Sequence, residues 1–333
     1  MKLNRIMGLT PSKECEPIAT GFRKLDRVTG GLRIGQLCTI AARPGMGKTQ
    51  FAVSLLRNIG VVQKVPTAYL SLESDELEIA RRLKASITGS WKTIPYEEKK
   101  PRKVTQPLEE TQRLKDFIQA MEKQGFHLKS VPDVDLNVEQ EAVQMMKEAP
   151  VWIEHDSGVG MNEIVSRMER LHQENHVRLV IVDSLPWIKY ADMQIEQSQA
   201  SQPLIKLCQA AERLKMAVIL TAGLDRLVEF RSSTLRPELR DLRNRNPIDA
   251  FSSMVMMVYR PDYYKLESFE DGSVSENLAD IMVAKNSFGS TGDVRMHFYN
   301  CAGFGEVSYE DDVERNYPLM AENLDVEESE LPF

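Results

Sequence analysis

Apolar residues in this chain cluster into short, almost unbroken runs, and the stretches between them carry the wider spacing of amphipathic helices. The runs LCTIAA (37–42), TAYLSLE (67–73), RLVIVD (178–183) and AVILTAG (217–223) leave little face for water, which predicts strands buried on both sides. FSSMVMMVYR (251–260), ADIMVAKN (279–286) and VRMHFY (294–299) predict later strands. After the first run, Phe51, Val53, Leu55 and Leu56 mark the apolar face of a helix, and Asp75 is placed to cap another after the second. Strands that alternate with helices imply βαβ units. The expected fold is therefore α/β: a mostly parallel, twisted sheet covered by helices.

Three segments stand outside that alternation. Residues 1–19 are polar, with Pro11 and Pro17, and read as an N-terminal arm. Residues 88–150 carry a basic patch (Lys99, Lys100, Arg102, Lys103) and two expected helices, near 108–124 and 137–148. Their low apolar content makes them a helical elaboration of the main domain, 20–309, rather than a domain of their own. Residues 310–333 form an acidic tail, expected to be flexible, that ends in Leu331-Pro332-Phe333.

At 333 residues the chain is long enough to bury a sizeable core. No apolar run reaches membrane-spanning length, and the first residues, MKLNRIMGLTPSKE, lack the apolar centre of a secretion signal, so a cytoplasmic location away from membranes is expected. Four cysteines (Cys15, Cys38, Cys208, Cys301) lack the paired spacing of a structural zinc site and suit a reducing compartment. The net charge of −7 is not evenly spread. The tail after 310 holds nine acidic residues and one arginine, which leaves the rest near neutral with 41 basic and 40 acidic residues. A near-neutral body can still present a local basic path to nucleic acid.

The first strand runs into Ala42-Arg43-Pro44-Gly45-Met46-Gly47-Lys48-Thr49, followed by a helix. A phosphate loop needs inward-turned backbone N–H groups, a helix N-terminus and one lysine that reaches the β- and γ-phosphates. Gly45 and Gly47 permit the close approach, Lys48 supplies the charge and the Thr49 hydroxyl suits a Mg²⁺ ligand position. The strict pattern opens on glycine, whereas this one opens on Ala42. Strand, loop and helix nonetheless fall in the required order, so ATP with Mg²⁺ is the expected ligand, bound by residues 43–50 (Arg43, Pro44, Gly45, Met46, Gly47, Lys48, Thr49, Gln50). Asp183, ending RLVIVD, is placed to hold Mg²⁺ through water, and Glu73, ending TAYLSLE, to orient or deprotonate an attacking water. His172 and His176 have metal-binding spacing but no third ligand nearby, which favours a solvated helix face. Met254, Met256 and Met257 read as packing residues.

With these residues in view, the sequence resembles the ATPase domain of DnaB-type replicative DNA helicases, ring-forming members of the RecA-like P-loop NTPase class. The resemblance rests on ATGFRKLDRVTGGLRIGQLCTIAARPGMGKT (19–49), SLES (71–74), RLVIVDSL (178–185), RPELRDLRNRNPID (236–249), VYRPDYY (258–264) and VAKNSFGSTG (283–292), collinear over roughly 20–309. It implies an ATP-dependent, hexameric helicase or translocase of DNA replication that passes single-stranded DNA through a central channel. By resemblance, Lys48 and Thr49 bind phosphate and Mg²⁺, Glu73 is the catalytic carboxylate and Asp183 the second-motif acid. Lys285 matches a lysine that reaches a neighbouring subunit's γ-phosphate. Arg243, Asn244 and Asn246, with Arg245 between them, fall in the loop that touches the DNA backbone. With Arg240 nearby, that cluster suits phosphate neutralisation, although a solvated loop of surface ion pairs would show the same residues. The family's N-terminal domain and linker helix have no counterpart here.

Three positions depart from the family pattern. Pro186 stands where a glutamine follows the second-motif strand, Gly223 replaces a phosphate-sensing glutamine, and Ser287 replaces the arginine finger. Arg226 is a candidate to compensate. These departures keep open a second reading, a catalytically degenerate nucleotide-binding relative that loads or scaffolds other replication proteins. A recombinase-like filament shares the fold but lacks support from a polymerisation motif. The tail DVEESELPF resembles the acidic, Phe-terminated tip with which bacterial single-stranded-DNA-binding proteins recruit replication partners. That implies a replication protein as a further partner; a plain solubilising tail is the alternative.

Overall fold

Each unbroken apolar run becomes a strand of one sheet, and the most apolar of them take its centre. A computed structural model describes residues 16–89, 136–188, 202–230, 235–242, 247–300 and 302–307. Its strands are β1 (Leu37–Ala42), β2 (Thr67–Ser71), β3 (Val151–His155), β4 (Leu179–Asp183), β5 (Ala217–Gly223), β6 (Met254–Tyr259), β7 (Leu278–Asn286), β8 (Gly292–Tyr299) and β9 (Gly303–Glu306). They lie side by side in the order β3-β2-β4-β5-β1-β6-β7-β8-β9. The pairings from β3 to β6 are parallel, and those of β6 with β7, β7 with β8 and β8 with β9 are antiparallel. The expected mostly parallel sheet is thus extended by an antiparallel meander on one side.

Helices cover both faces, and alternation along each central strand shows it. Val180 and Val182 of β4 and Val218 and Leu220 of β5 join one apolar cluster, with Ile164 and Met168 of α5 (Met161–Asn175) and Leu204 and Leu207 of α6 (Gln202–Leu214). Leu179 and Ile181 of β4 and Ile219 of β5 join the other, with Leu25 of α1 (Arg23–Thr29) and Phe51, Leu55 and Leu56 of α2 (Lys48–Leu56). Met254, Met256 and Met257 are buried, as their packing role requires. Helix α3 (Glu76–Thr88) starts where expected: the Asp75 carboxylate accepts the Glu78 N–H at 2.7 Å. A helix at Leu136–Lys147 (α4) meets the second of the two helices expected in the 88–150 segment and contacts α3.

Several particulars differ from the sequence reading. Strands β3 and β9 were not expected: VWIEH is half-buried at the sheet edge and GFGE is half glycine, so neither shows an apolar run. Strand β2 stops at Ser71, so Glu73 lies in the turn beyond it. Within the span read as an arm, Ile18 is buried and exchanges backbone hydrogen bonds with Leu32 at 2.7 and 2.8 Å. His172 is in the last turn of α5, but His176 is its C-terminal cap at φ 54°, so the two do not share a helix face. The helix expected near 108–124, the basic patch at 99–103, the loop 243–246 and the tail 310–333 lie outside the described residues.

Candidate functional site

Strand β1 delivers the chain to the end of the sheet, and α2 begins at Lys48 a few residues later; the turn between them is the phosphate loop. Gly45 has φ +82° and Gly47 φ +95°, conformations that cost any side-chain-bearing residue. The space is equally tight. A Cβ at Gly47 would stand 2.8 Å from the Phe298 ring, and one at Gly45 2.5 Å from the Tyr263 hydroxyl. Met46 is buried and anchors the loop from below, while Pro44 and Gly45 are exposed. Lys48 and Thr49 occupy the first turn of α2, where the helix dipole favours an anion. Among the described residues, Lys48 has no hydrogen-bond or ion-pair partner.

Asp183 ends β4 beside the first turn of α2. Only 2% exposed, it accepts hydrogen bonds from the hydroxyls of Thr49 (2.8 Å), Tyr69 (2.7 Å) and Thr221. The three donors come from α2, β2 and β5, so the carboxylate ties the centre of the sheet to the phosphate loop. Burial, together with the charge and hydrogen bond of Asp183, pushes the Tyr69 phenol well above its ordinary range. Tyr69 therefore stays a neutral donor. Thr49 and Asp183 place a hydroxyl and a carboxylate oxygen within 2.8 Å of each other at the loop's mouth, a hard-oxygen pair that fits Mg²⁺ shared with nucleotide phosphates. Glu73 is exposed and one residue beyond Leu72, whose N–H donates to the Asp183 carbonyl at 2.6 Å. Both carboxylates thus stand at the carboxyl ends of neighbouring parallel strands, the crevice where such sheets bind ligands.

The remaining residues of the loop divide by task. The Arg43 guanidinium turns away to Glu229 (2.8 and 3.0 Å) and the Leu224 carbonyl (3.0 Å). Gln50 is largely buried and donates to the Asn300 carbonyl at 3.1 Å. Arg260 lies 3.7 Å from the Phe298 ring centroid and binds Asp262. Sequence reasoning had assigned no role to Tyr69, Thr221, Glu229, Arg260 or Tyr263. The signal was faint: a tyrosine and a threonine inside apolar strands, and VYRPDYY as a matched but unassigned stretch.

Other expected residues sit elsewhere. Lys285 pairs with Val255, which pairs with Thr39, so it lies two strands from β1 and roughly 10 Å back from the end of that strand. Its ammonium donates to the Asp249 carbonyl at 2.6 Å. Lys285 is therefore not assembled with the phosphate loop of its own chain. Arg240, beside the undescribed 243–246 loop, pairs with Glu238 at 2.8 Å. Pro186, Gly223 and Ser287 are all exposed, and nothing stands within 4 Å of a Cβ built on Gly223. Burial pushes the Cys38 thiol up to about 12 and raises that of Cys208, which removes both as nucleophiles.

A parallel sheet, a phosphate loop at the central β1–α2 junction and a buried acid on β4 define a RecA-like nucleotide-binding ATPase fold. The chain belongs to the DnaB-like helicase C terminal domain family, whose model matches residues 17–141 and 119–304 in two overlapping stretches. It is 26% identical to the replicative DNA helicase DnaB of Buchnera aphidicola subsp. Baizongia pistaciae, over 91% of this chain and 59% of that protein. It is 28% identical to that of Haemophilus influenzae, over 84% of this chain and 53% of the relative. The chain thus spans little more than half the length of these relatives. Among solved structures it resembles an isolated ATPase domain, with TM-score 0.70 and 24% identity over 92% of this chain and 95% of that one. It also resembles a DnaB-like replicative helicase described with its primase interactions, with TM-score 0.69 and 26% identity over 88% of this chain and 62% of that one. Among the described residues, no helix is long and apolar enough to cross a membrane.

Proposed function

We propose that this chain is an ATP-dependent, ring-forming DNA helicase or translocase acting in replication. What carries the reading is the Thr49–Asp183 pair at the mouth of a glycine-cradled loop, with Lys48 uncommitted beside it. The loop's N–H groups and Lys48 hold the β- and γ-phosphates of ATP, and Thr49 and Asp183 hold Mg²⁺. Bound there, Mg²⁺ neutralises phosphate charge. Glu73 orients and deprotonates the attacking water. Tyr69 and Thr221 keep the Asp183 carboxylate in one place, which limits the reorganisation left to the reaction.

Lys285 faces away from its own loop, and this favours assembly: a lysine set back from that loop serves hydrolysis only on a neighbour's nucleotide. A closed head-to-tail ring of six subunits puts one such contact at every interface. Its channel takes single-stranded DNA against Arg243, Asn244, Arg245 and Asn246, by phosphate neutralisation without base readout. The acidic tail offers a replication protein a Pro-Phe end with a carboxylate, and the chain acts in the cytoplasm.

A second reading keeps nucleotide binding without a motor. Gly223 leaves open space at the end of β5 and Ser287 carries no charge, which favours a loader or scaffold switched by ATP. Strand displacement on a forked DNA, with particle mass measured beside a non-hydrolysable ATP analogue, separates the two. Unwinding by a six-fold particle supports the motor; a nucleotide-bound particle that never displaces a strand supports the scaffold.

A further inference from the structure

The transferring phosphoryl spreads negative charge over its equatorial oxygens, and enzymes of this chemistry answer it with a second cation besides the loop lysine. The two guanidiniums that touch the loop are already committed. Arg43 is held by Glu229 and the Leu224 carbonyl, and Arg260 by Asp262 and the Phe298 ring. Position 287 holds a serine.

The edge of the molecule that carries Lys285 also carries an uncommitted guanidinium. Arg33 precedes β1 and is half-exposed; its guanidinium carbon lies 5.3 Å from the centroid of the Phe288 ring, next to Ser287. Its Nε is buried without a hydrogen-bond partner. Stacking on a ring uses the flat face of a guanidinium and leaves its in-plane N–H groups free for an anion.

The platform under Arg33 is rigid. Asn286 accepts the Phe288 N–H at 3.1 Å and donates to the carbonyls of Ser290 (3.1 Å) and Thr29 (3.2 Å). The Ser287 N–H donates to the Ser253 carbonyl at 2.8 Å, and the Ser290 N–H to the Val28 carbonyl at 3.2 Å. A Cβ at Gly289 would stand 3.0 Å from the Thr29 carbonyl, so the turn lies flush against the end of α1. Arg33 is thus presented from a fixed surface at the residue where a charge is missing.

We infer that Arg33, stacked on Phe288, reaches the γ-phosphate of ATP bound to a neighbouring subunit and supplies the cationic contact that Ser287 does not. This rests on the ring reading above. Arg33 acts beside Lys285 and stabilises charge as it develops, so its loss lowers kcat and leaves nucleotide binding largely intact.

The test is trans-complementation. Steady-state ATPase is measured for the unsubstituted chain, for Arg33→Ala, for Lys48→Ala, and for the two variants mixed in equal amounts before assembly. Arg33→Ala is expected to lower kcat about 10³-fold, the low end for such an arginine, with Arg33→Lys retaining part of the rate. Its thermal unfolding and its affinity for a non-hydrolysable ATP analogue should match those of the unsubstituted chain, which separates a lost contact from a lost fold. In the mixture, an Arg33→Ala subunit keeps its phosphate loop and a Lys48→Ala neighbour keeps Arg33. About a quarter of head-to-tail interfaces are then whole, and turnover should rise well above either variant alone. Unchanged turnover in Arg33→Ala, or a mixture no more active than its parts, overturns the proposal and leaves the motor intact. An unsubstituted chain without turnover overturns the motor reading and this proposal with it.

Discussion

Replacing Gly47 by alanine puts a methyl group where the structure has no room for one. Two costs combine. The backbone at φ +95° lies in the left-handed region, which costs a residue with a Cβ about 1–2 kcal/mol. The new carbon would also stand 2.8 Å from Phe298, a ring 5% exposed and clamped between the Arg260 guanidinium at 3.7 Å and the Phe304 ring at 5.2 Å. That ring cannot swing aside, so overpacking adds about 1–3 kcal/mol, for a total of about 2–5. Gly45→Ala serves as an internal comparison. It pays a similar backbone cost at φ +82°, but its neighbour is the hydroxyl end of Tyr263, a ring 49% exposed and free to move. The expected loss is about 1–2 kcal/mol. Urea unfolding of the three proteins without nucleotide reads both losses from the midpoints, provided the slopes agree. Equal losses, or a larger one for Gly45→Ala, would refute the claim that the β8 aromatic ring braces the phosphate loop.

Two further outcomes follow from the same site. Tyr69→Phe keeps the buried ring and removes one hydroxyl from Asp183, at a cost of about 1–3 kcal/mol at neutral pH. Because the folded phenol is raised above its ordinary 10.0, its contribution is full below that pH and is lost as pH climbs through the folded value. The unsubstituted chain should therefore lose stability above pH 10 more steeply than Tyr69→Phe, and parallel alkaline unfolding curves would contradict this. Gly223→Gln adds a side chain into open space at the end of β5, so stability should move by no more than about 0.5 kcal/mol. If position 223 is where a phosphate sensor belongs, DNA-dependent turnover should rise; unchanged turnover would remove that role.

The frame of the fold was legible because its central strands are buried on both faces. LCTIAA and AVILTAG show no alternation, so their extent and type could be read directly, and β1 and β5 have those bounds. Edge elements gave no such signal. In β3, Trp152, Glu154 and His155 are half-buried and polar-tipped, and in β9 two of four residues are glycine. Within the site, Lys48, Thr49 and Asp183 could be named because local spacing sets the loop and because an acid at the end of an apolar run is conspicuous. Their partners could not. Tyr69 and Thr221 meet Asp183 only because β2 and β5 flank β4, a fact of topology that no local pattern encodes. Glu73 was expected at a strand end; the strand stops two residues earlier, where Ser71 pairs with Asp183 and the chain turns to reach the Asp75 cap. Arg43 was expected on the nucleotide, but its long side chain found a carboxylate on a segment distant in sequence.

The central claim is that this phosphate loop drives a DNA motor, and steady-state ATP hydrolysis tests it most directly. Turnover is measured with and without single-stranded DNA, in the unsubstituted chain and in Lys48→Ala. The account expects hydrolysis that rises when DNA is added and disappears in the variant. Tight ATP binding by the unsubstituted chain with no turnover in either condition would contradict it.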